Sequence, residues 1–243
     1  MSGLWLYYGI PLLCILVSGY ASAKVRSAFH RYEQIRSRSG FNGHDTAVRL
    51  LTRKGIHDIA VGSVGGELTD HYHPSKKTVN LSASSYGSAS VAAAAVAAHE
   101  IGHVVQQKEG FWPYRIRSAI VPAVNLSSRL AMPLIMIGLL LEAGSRYGSS
   151  RVGWYLAITG VVLYAGAVLF ALVTLPVEWD ASRRAKQMLL EEGILSEEEL
   201  PGAERVLSAA AMTYVASLLT SILYMVRFLL LVLSAFGRHS QRR

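Results

Sequence analysis

Residues 90–107 read SVAAAAVAAHEIGHVVQQ. No proline interrupts this stretch. Ser90 is placed to cap its start, and Lys108 with Gly110 to close it, so it reads as one helix. Within it, His99-Glu100-Ile101-Gly102-His103 forms an H-E-x-x-H pattern. Four helical residues put the two imidazoles about 40° apart on one face, where both reach one ion. Glu100 sits about 100° round from His99, close enough to meet a water on that ion without binding the ion itself. His99 and His103 are therefore expected as zinc ligands and Glu100 as general base. The alanines between 92 and 98, with Gly102, leave room for another backbone to pack close.

Away from this helix the chain is apolar in long runs. Hydrophobic residues make up 51% of its 243 residues and charged ones 16%, a membrane rather than a soluble composition. Residues 152–175 carry no charge and are long enough to cross about 30 Å of hydrocarbon. Leu4 to Ala23 is a second expected span, with Trp5, Tyr7 and Tyr8 placed as an interfacial belt. Ile120 to Leu141 is a third, interrupted by Asn125, Ser127, Ser128 and Arg129; the arginine is expected to snorkel to an interface. Val206 to Phe236 is too long for one simple crossing and carries Arg227. It reads either as one tilted crossing or as a bent or re-entrant segment.

Charge orders these spans. Tyr20-Ala21-Ser22-Ala23 resembles a signal-peptidase site, but no basic region precedes it. Lys24, Arg26, Arg31, Arg36 and Arg38 follow it directly, so an uncleaved anchor with a cytoplasmic C-terminal flank is expected. The organisation expected is an anchor (1–23), a cytoplasmic part with a hairpin and the zinc helix (24–117), a second span (118–142), an outer loop (143–151) and a third span (152–175). A third-ligand helix with an acidic loop (176–205) follows, then a C-terminal helix, partly embedded, with a basic tail (206–243). That tail favours a cytoplasmic end and hence a re-entrant last segment; Arg146 and Arg151 in the outer loop run against the scheme. The net charge of +8 follows this topology and favours anionic head groups over nucleic acid, for which no fold signature is present. Cys14 is the sole cysteine, which excludes a disulfide framework or a cysteine zinc site within one chain.

Residues 44–55 read as a helix with Asp45 as N-cap and Gly55 closing it. Glu67 to Tyr72 and Thr78 to Ser82 read as strands joined by a turn at Pro74-Ser75-Lys76-Lys77. An edge strand just before the zinc helix could receive an extended peptide through main-chain bonds. A catalytic zinc takes three protein ligands and leaves one position open. Candidates for the third are His71, His73, Glu178 and Asp180. Glu178 is preferred: it follows Pro176, which is expected to end the span and start a new helix. Asp180 is expected either to support a zinc histidine or to pair with Arg183 or Arg184. His71 and His73 share a strand face and suit substrate contact or plain surface exposure better than metal.

Four segments carry a resemblance to a known family: Asp70-His71-Tyr72-His73-Pro74, Ala97-Ala98-His99-Glu100-Ile101-Gly102-His103, Leu175-Pro176-Val177-Glu178-Trp179-Asp180-Ala181-Ser182-Arg183-Arg184-Ala185 and Ala209-Ala210-Ala211-Met212-Thr213-Tyr214-Val215-Ala216. With these the chain resembles the YugP-like neutral zinc metallopeptidases, multi-pass membrane proteins that usually have aspartate where His73 stands. It is more distantly similar to HtpX-like and CAAX-type membrane zinc proteases. Their third ligand is a glutamate followed by Ala and Asp at the third and fourth positions after it. Glu178 and Ala181 match that pattern and Ser182 departs from it. The resemblance implies a mainly α, polytopic membrane protein with a gluzincin-like core, a small β-hairpin beside the zinc helix and three to four membrane helices. It further implies one Zn2+ per chain on His99, His103 and Glu178, and hydrolysis of peptide or membrane-protein substrates. Asp70, His71, His73, Asp180 and Ser182 are expected around the site. Tyr214 is preferred over Arg183 and Arg205 as the oxyanion donor. The competing classes are a non-hydrolytic membrane scaffold with a structural zinc, which should show four protein ligands, and a transporter, which should show ionisable groups inside its cleanest span. An oligomer or a membrane partner protein is compatible with the sequence but has no support in it.

Overall fold

Helix-closing glycines, capping side chains and apolar run length set the element boundaries. The computed structural model describes residues 4–145 and 150–240, the last three by backbone alone. A π-helical turn at Trp5–Gly9 leads into α1 (Ile10–Glu33). Then come α2 (Gly43–Arg53), β1 (Ala60–Val64), β2 (His71–His73), β3 (Thr78–Ser82), α3 (Ala83–Tyr86) and α4 (Val91–Lys108). Three long helices finish the chain: α5 (Trp112–Ala143), α6 (Arg151–Glu191) and α7 (Leu200–Ser240). Four helical stretches, Trp5–Glu33, Trp112–Ala143, Arg151–Glu191 and Leu200–Gly237, are long and apolar enough to cross a membrane. The fold is thus mainly α with a polytopic membrane architecture, as the composition implied. Of the basic residues used to orient the spans, Arg146, Arg242 and Arg243 lie outside the described residues.

Two compact units emerge. The first comprises the described residues of Met1–Gly19, Ile116–Thr174 and Val215–Arg243. It packs through small residues: a Cβ on Gly138 would come within 2.7 Å of the Ala157 Cβ, and one on Gly160 within 2.7 Å of the Ala131 carbonyl. Close backbone approach of this kind holds helices together where apolar burial does not distinguish a neighbour from lipid. Ile135, Val161, Phe228 and Val232 fill its core, while Leu16, Leu126, Leu140 and Val162 point outward. Arg227 Nε donates to the Leu6 carbonyl in the π-helical turn at 2.8 Å, which satisfies a charge carried by an apolar helix.

Tyr20–Arg115 and Leu175–Tyr214 form the second unit. α4 lies at its centre: Ala92, Ala93, Ala94, Ala95, Ala97 and Ala98 are fully buried, with Phe29, Leu50, Leu81, Ile101 and Leu189 in the surrounding core. Ser90 Oγ accepts from Ala93 N at 3.1 Å, and Gly110 closes the far end at φ +68, so both ends of α4 form as expected. At α2 the cap is Asn42, whose side chain accepts from Asp45 N at 2.8 Å; Asp45 itself lies in the first turn.

Four expectations are corrected. The sheet has three strands in the order β1-β3-β2, with β1 parallel and β2 antiparallel to β3. The strand before the zinc helix is therefore the central one, and its main chain is already paired on both sides. β2 begins at His71 rather than Glu67 because Gly66 (φ 98) and Leu68 (φ 55) turn the chain with positive φ. Finally, Pro176 starts no new helix: it lies inside α6. One missing N–H is tolerated within a long apolar helix whose remaining bonds hold it. α7 likewise runs unbroken through Leu200–Ser240, with no break at which a re-entrant segment would turn back.

Candidate metal centre

Helix spacing does for His99 and His103 what the sequence implied: their rings sit edge to face, with centroids 4.8 Å apart, on one side of α4. α6 crosses them at close range because neither helix has bulk at the crossing. A Cβ on Gly102 would stand 2.7 Å from the Ala181 carbonyl oxygen. Ala181 is one turn along α6 from Glu178, so the contact that admits the helix also delivers the carboxylate. Glu178 Oε2 lies 3.2 Å from His99 Nε2 and 3.5 Å from His103 Nε2. One ligand atom from each residue falls within 4.8 Å of the others.

The donor set fits zinc. Two imidazole nitrogens and one carboxylate oxygen are its common hydrolytic ligands, and bonds of about 2.0–2.1 Å in a tetrahedron set ligand atoms roughly 3.3 Å apart. Ring orientation fits as well. His103 Nδ1 meets Gln106 Oε1 at 3.0 Å, and His99 Nδ1 meets Ser182 Oγ at 3.2 Å. With each Nδ1–H donated to those oxygens, each Nε2 keeps its lone pair for a metal. Glu178 is 1% exposed.

Glu100, mostly buried, shares with His99 and Glu178 the wall of a cavity of about 160 Å³. Among the described residues, none takes up its carboxylate in a hydrogen bond or ion pair. Asp70, Ser182 and Tyr214 line the same cavity, whose remaining wall is chiefly aliphatic. Asp70 also accepts from Ser82 N at 2.7 Å and Ser82 Oγ at 3.0 Å, which fixes the start of β2 against the end of β3.

His71 and His73 are not part of the metal-capable group. Strand alternation explains this: Tyr72 turns toward α4, where its hydroxyl donates to Gln107 Oε1 at 2.5 Å, so both histidines face away. His71 instead meets Asn80 across the strand pair and His73 accepts from Lys76 N. Burial, with the neighbouring Tyr114 and Asp58, pushes the Tyr72 hydroxyl up to about 12, so it stays a donor. Asp180 reaches neither ring directly. It accepts from Gln106 Nε2 at 3.0 Å and pairs with Arg183 and Arg184, so its support of His103 passes through Gln106.

Sequence reasoning missed Gln106. The available signal was a polar residue one turn beyond His103 in a helix otherwise built of small and aliphatic residues. Its carboxamide is fully buried and engaged at both ends, with Nε2 also donating to the Val177 carbonyl at 2.8 Å.

Residues 7–233 match the family described as "Putative neutral zinc metallopeptidase". The chain belongs to this family. It is 38% identical over 229 residues to the Bacillus subtilis (strain 168) protein named "Putative membrane protease YugP", covering 94% of this chain and 97% of that one. No solved structure matches. The family name agrees with the resemblance drawn from the motifs, and the structure brings His99, His103 and Glu178 together in a group that could hold a metal ion.

Proposed function

We propose that this chain is a membrane-anchored zinc endopeptidase, with His99, His103 and Glu178 as metal ligands and Glu100 as general base. The observation that carries the reading is the meeting of two imidazole nitrogens and one buried carboxylate oxygen on the wall of a cavity that Glu100 also lines. A zinc ion held there supplies Lewis acidity and acidifies water toward a pKa of about 7. The protein's own groups do the rest. Gln106 and Ser182 keep both Nε2 atoms facing Glu178. Glu100 takes the proton from the water that attacks the scissile carbonyl and returns it to the leaving amine. Tyr214, which lines the cavity, is the donor assigned here to the oxyanion. Peptide substrates accord with the family and with the relative's name.

Anchoring follows from the four apolar helices. Residues 34–111 connect the first span to the second, and residues 192–199 the third to the fourth. Four crossings leave both on one side, and the basic residues after Ala23 assign that side to the cytoplasm of the cell membrane. Among the described residues the metal-capable group has three members, which leaves the fourth position that hydrolysis needs and a structural zinc would close.

Metal analysis and peptide cleavage by the purified chain test the reading. Glu100→Gln should retain about one zinc per chain and lose at least ~100-fold in cleavage, the scale of general-base catalysis. Loss of zinc from that variant moves Glu100 into the ligand set, and unchanged cleavage removes it from the reaction.

A further inference from the structure

We propose that the groove between α1 and α7 binds the phosphate of an anionic phospholipid headgroup. The groove encloses about 550 Å³ and lies apart from the metal cavity. From α1 it takes Lys24, Ser27 and Arg31, at the i, i+3 and i+7 positions that share one helix face. From α7 it takes Arg205 and Ser208, with Met212 one turn further on. Two guanidinium groups, an ammonium and two hydroxyls so converge on one space. Planar guanidinium forks match phosphate oxygens, and hydroxyls complete the set of donors.

The charge in this groove is unspent. Elsewhere in the same unit Arg38 pairs with Glu198, Arg53 with Glu192, and Arg184 with both Asp180 and Glu109. Among the described residues, no carboxylate pairs with Lys24, Arg31 or Arg205. Lys24 and Arg31 lie over the rings of Tyr20 and Tyr32, each 5.9 Å from the centroid. One acid, Glu204, is on the wall, and Lys186 holds it at 2.7 Å. A site with surplus positive charge, hydroxyl donors and room for a small molecule selects an anion.

Chain position and lining point to lipid as the source. Lys24 is the first charge after the apolar run of α1, and Met212 lies in the apolar stretch of α7, so the groove opens where both helices become membrane-length apolar segments. Ala28, Ala209 and Met212 give it an aliphatic floor that a free phosphate cannot use but a glycerol and acyl ester can. This inference rests on α1 and α7 crossing a membrane; it needs neither zinc nor peptidase activity.

Thermal unfolding of the full chain in neutral detergent tests it, with short-chain phosphatidylglycerol, short-chain phosphatidylcholine and inorganic phosphate as separate additives. Phosphatidylglycerol should raise the wild-type midpoint saturably, and more weakly as salt rises. Phosphatidylcholine and inorganic phosphate at the same concentrations should not. Arg31→Gln with Arg205→Gln should weaken the phosphatidylglycerol response roughly tenfold per cation, while the paired Arg→Lys substitutions keep most of it and Lys76→Gln keeps all of it. An undiminished response in the Gln pair overturns the site. Inorganic phosphate acting as strongly as phosphatidylglycerol overturns the lipid source. A wild-type response that ignores salt, or is equalled by phosphatidylcholine, overturns the role of charge even if the Gln pair does not fold.

Discussion

Gln106 is fully buried, and its carboxamide is engaged at both ends: Oε1 with His103 Nδ1, Nε2 with the Val177 carbonyl and Asp180. It therefore ties a ring on α4 to two points on α6, and removing it takes one hydrogen bond from each of three buried groups. Gln106→Leu should weaken zinc binding ~10–100-fold, the range for groups that orient a metal ligand. It should also lower stability by about 1–3 kcal/mol through the unpaired polar groups. Ser182→Ala, which removes a single acceptor from His99, should cost less on both counts. Chelator competition and denaturant unfolding measure the two effects, and an unchanged zinc affinity in Gln106→Leu sinks the orienting role. The H-E-x-x-H residues were legible because their geometry is local to one helix. Glu178 was legible through motif and chain position together. Gln106 was not, nor was the ring that Ser182 meets, because each depends on which face of a second helix arrives, and spacing within one segment does not encode that.

Between elements, the decisive contact is the one between Gly102 and Ala181. Gly102→Ala places a methyl 2.7 Å from a backbone oxygen, so α6 must retreat or α4 must shift. Overpacking of this kind costs about 1–3 kcal/mol, and the retreat also carries Glu178 away from the histidines. Zinc affinity should therefore fall more than it does for Gly87→Ala, where an added Cβ meets nothing within 4 Å. Equal behaviour of the two variants in zinc titration would dismiss the close crossing as the cause. Asp58 makes a second tie, accepting from Lys108 at the end of α4 and from Lys77 in the β2–β3 turn. The Lys108 and Lys77 hydrogen bonds lower its carboxyl to about 2. A depressed acid contributes stability above its unfolded pKa, near 4, and loses it as pH falls toward 2. The thermal midpoint of Asp58→Asn should thus lie below wild type at pH 7 and converge on it only as pH falls through about 2; a gap unchanged there rejects the ion pair as its source. Sequence reading went astray on elements where a local rule met long-range packing. Pro176 signals a helix start in isolation, yet α6 continues through it. Ala60–Val64 carries only small residues and valine beside a glycine pair, too weak a strand pattern to notice until β3 offers it a parallel partner.

At the scale of the whole molecule, the number of crossings decides where the site works. The basic tail favoured a cytoplasmic C-terminus and so a re-entrant last segment, whereas α7 is one continuous helix through Ser240 and long enough to cross. Continuity outweighs the tail, because a re-entrant path needs a break whose exposed backbone groups would have to be satisfied inside the membrane. On the topology proposed above, four crossings leave residues 34–111 and 192–199, which connect the first span to the second and the third to the fourth, on one side. Reporter fusions after residues 60 and 195 should both report the cytoplasm, and a fusion at the C-terminus should report the opposite side. Intact mass should retain the first apolar segment, since Ala21 and Ala23 lie within the unbroken α1. A cytoplasmic C-terminal reporter would restore an odd number of crossings and require α7 to turn back. Opposite signals from residues 60 and 195 would be more damaging. They would put His99 and His103 on one side of the bilayer and Glu178 on the other, which the distance of 3.2 Å between His99 and Glu178 does not permit.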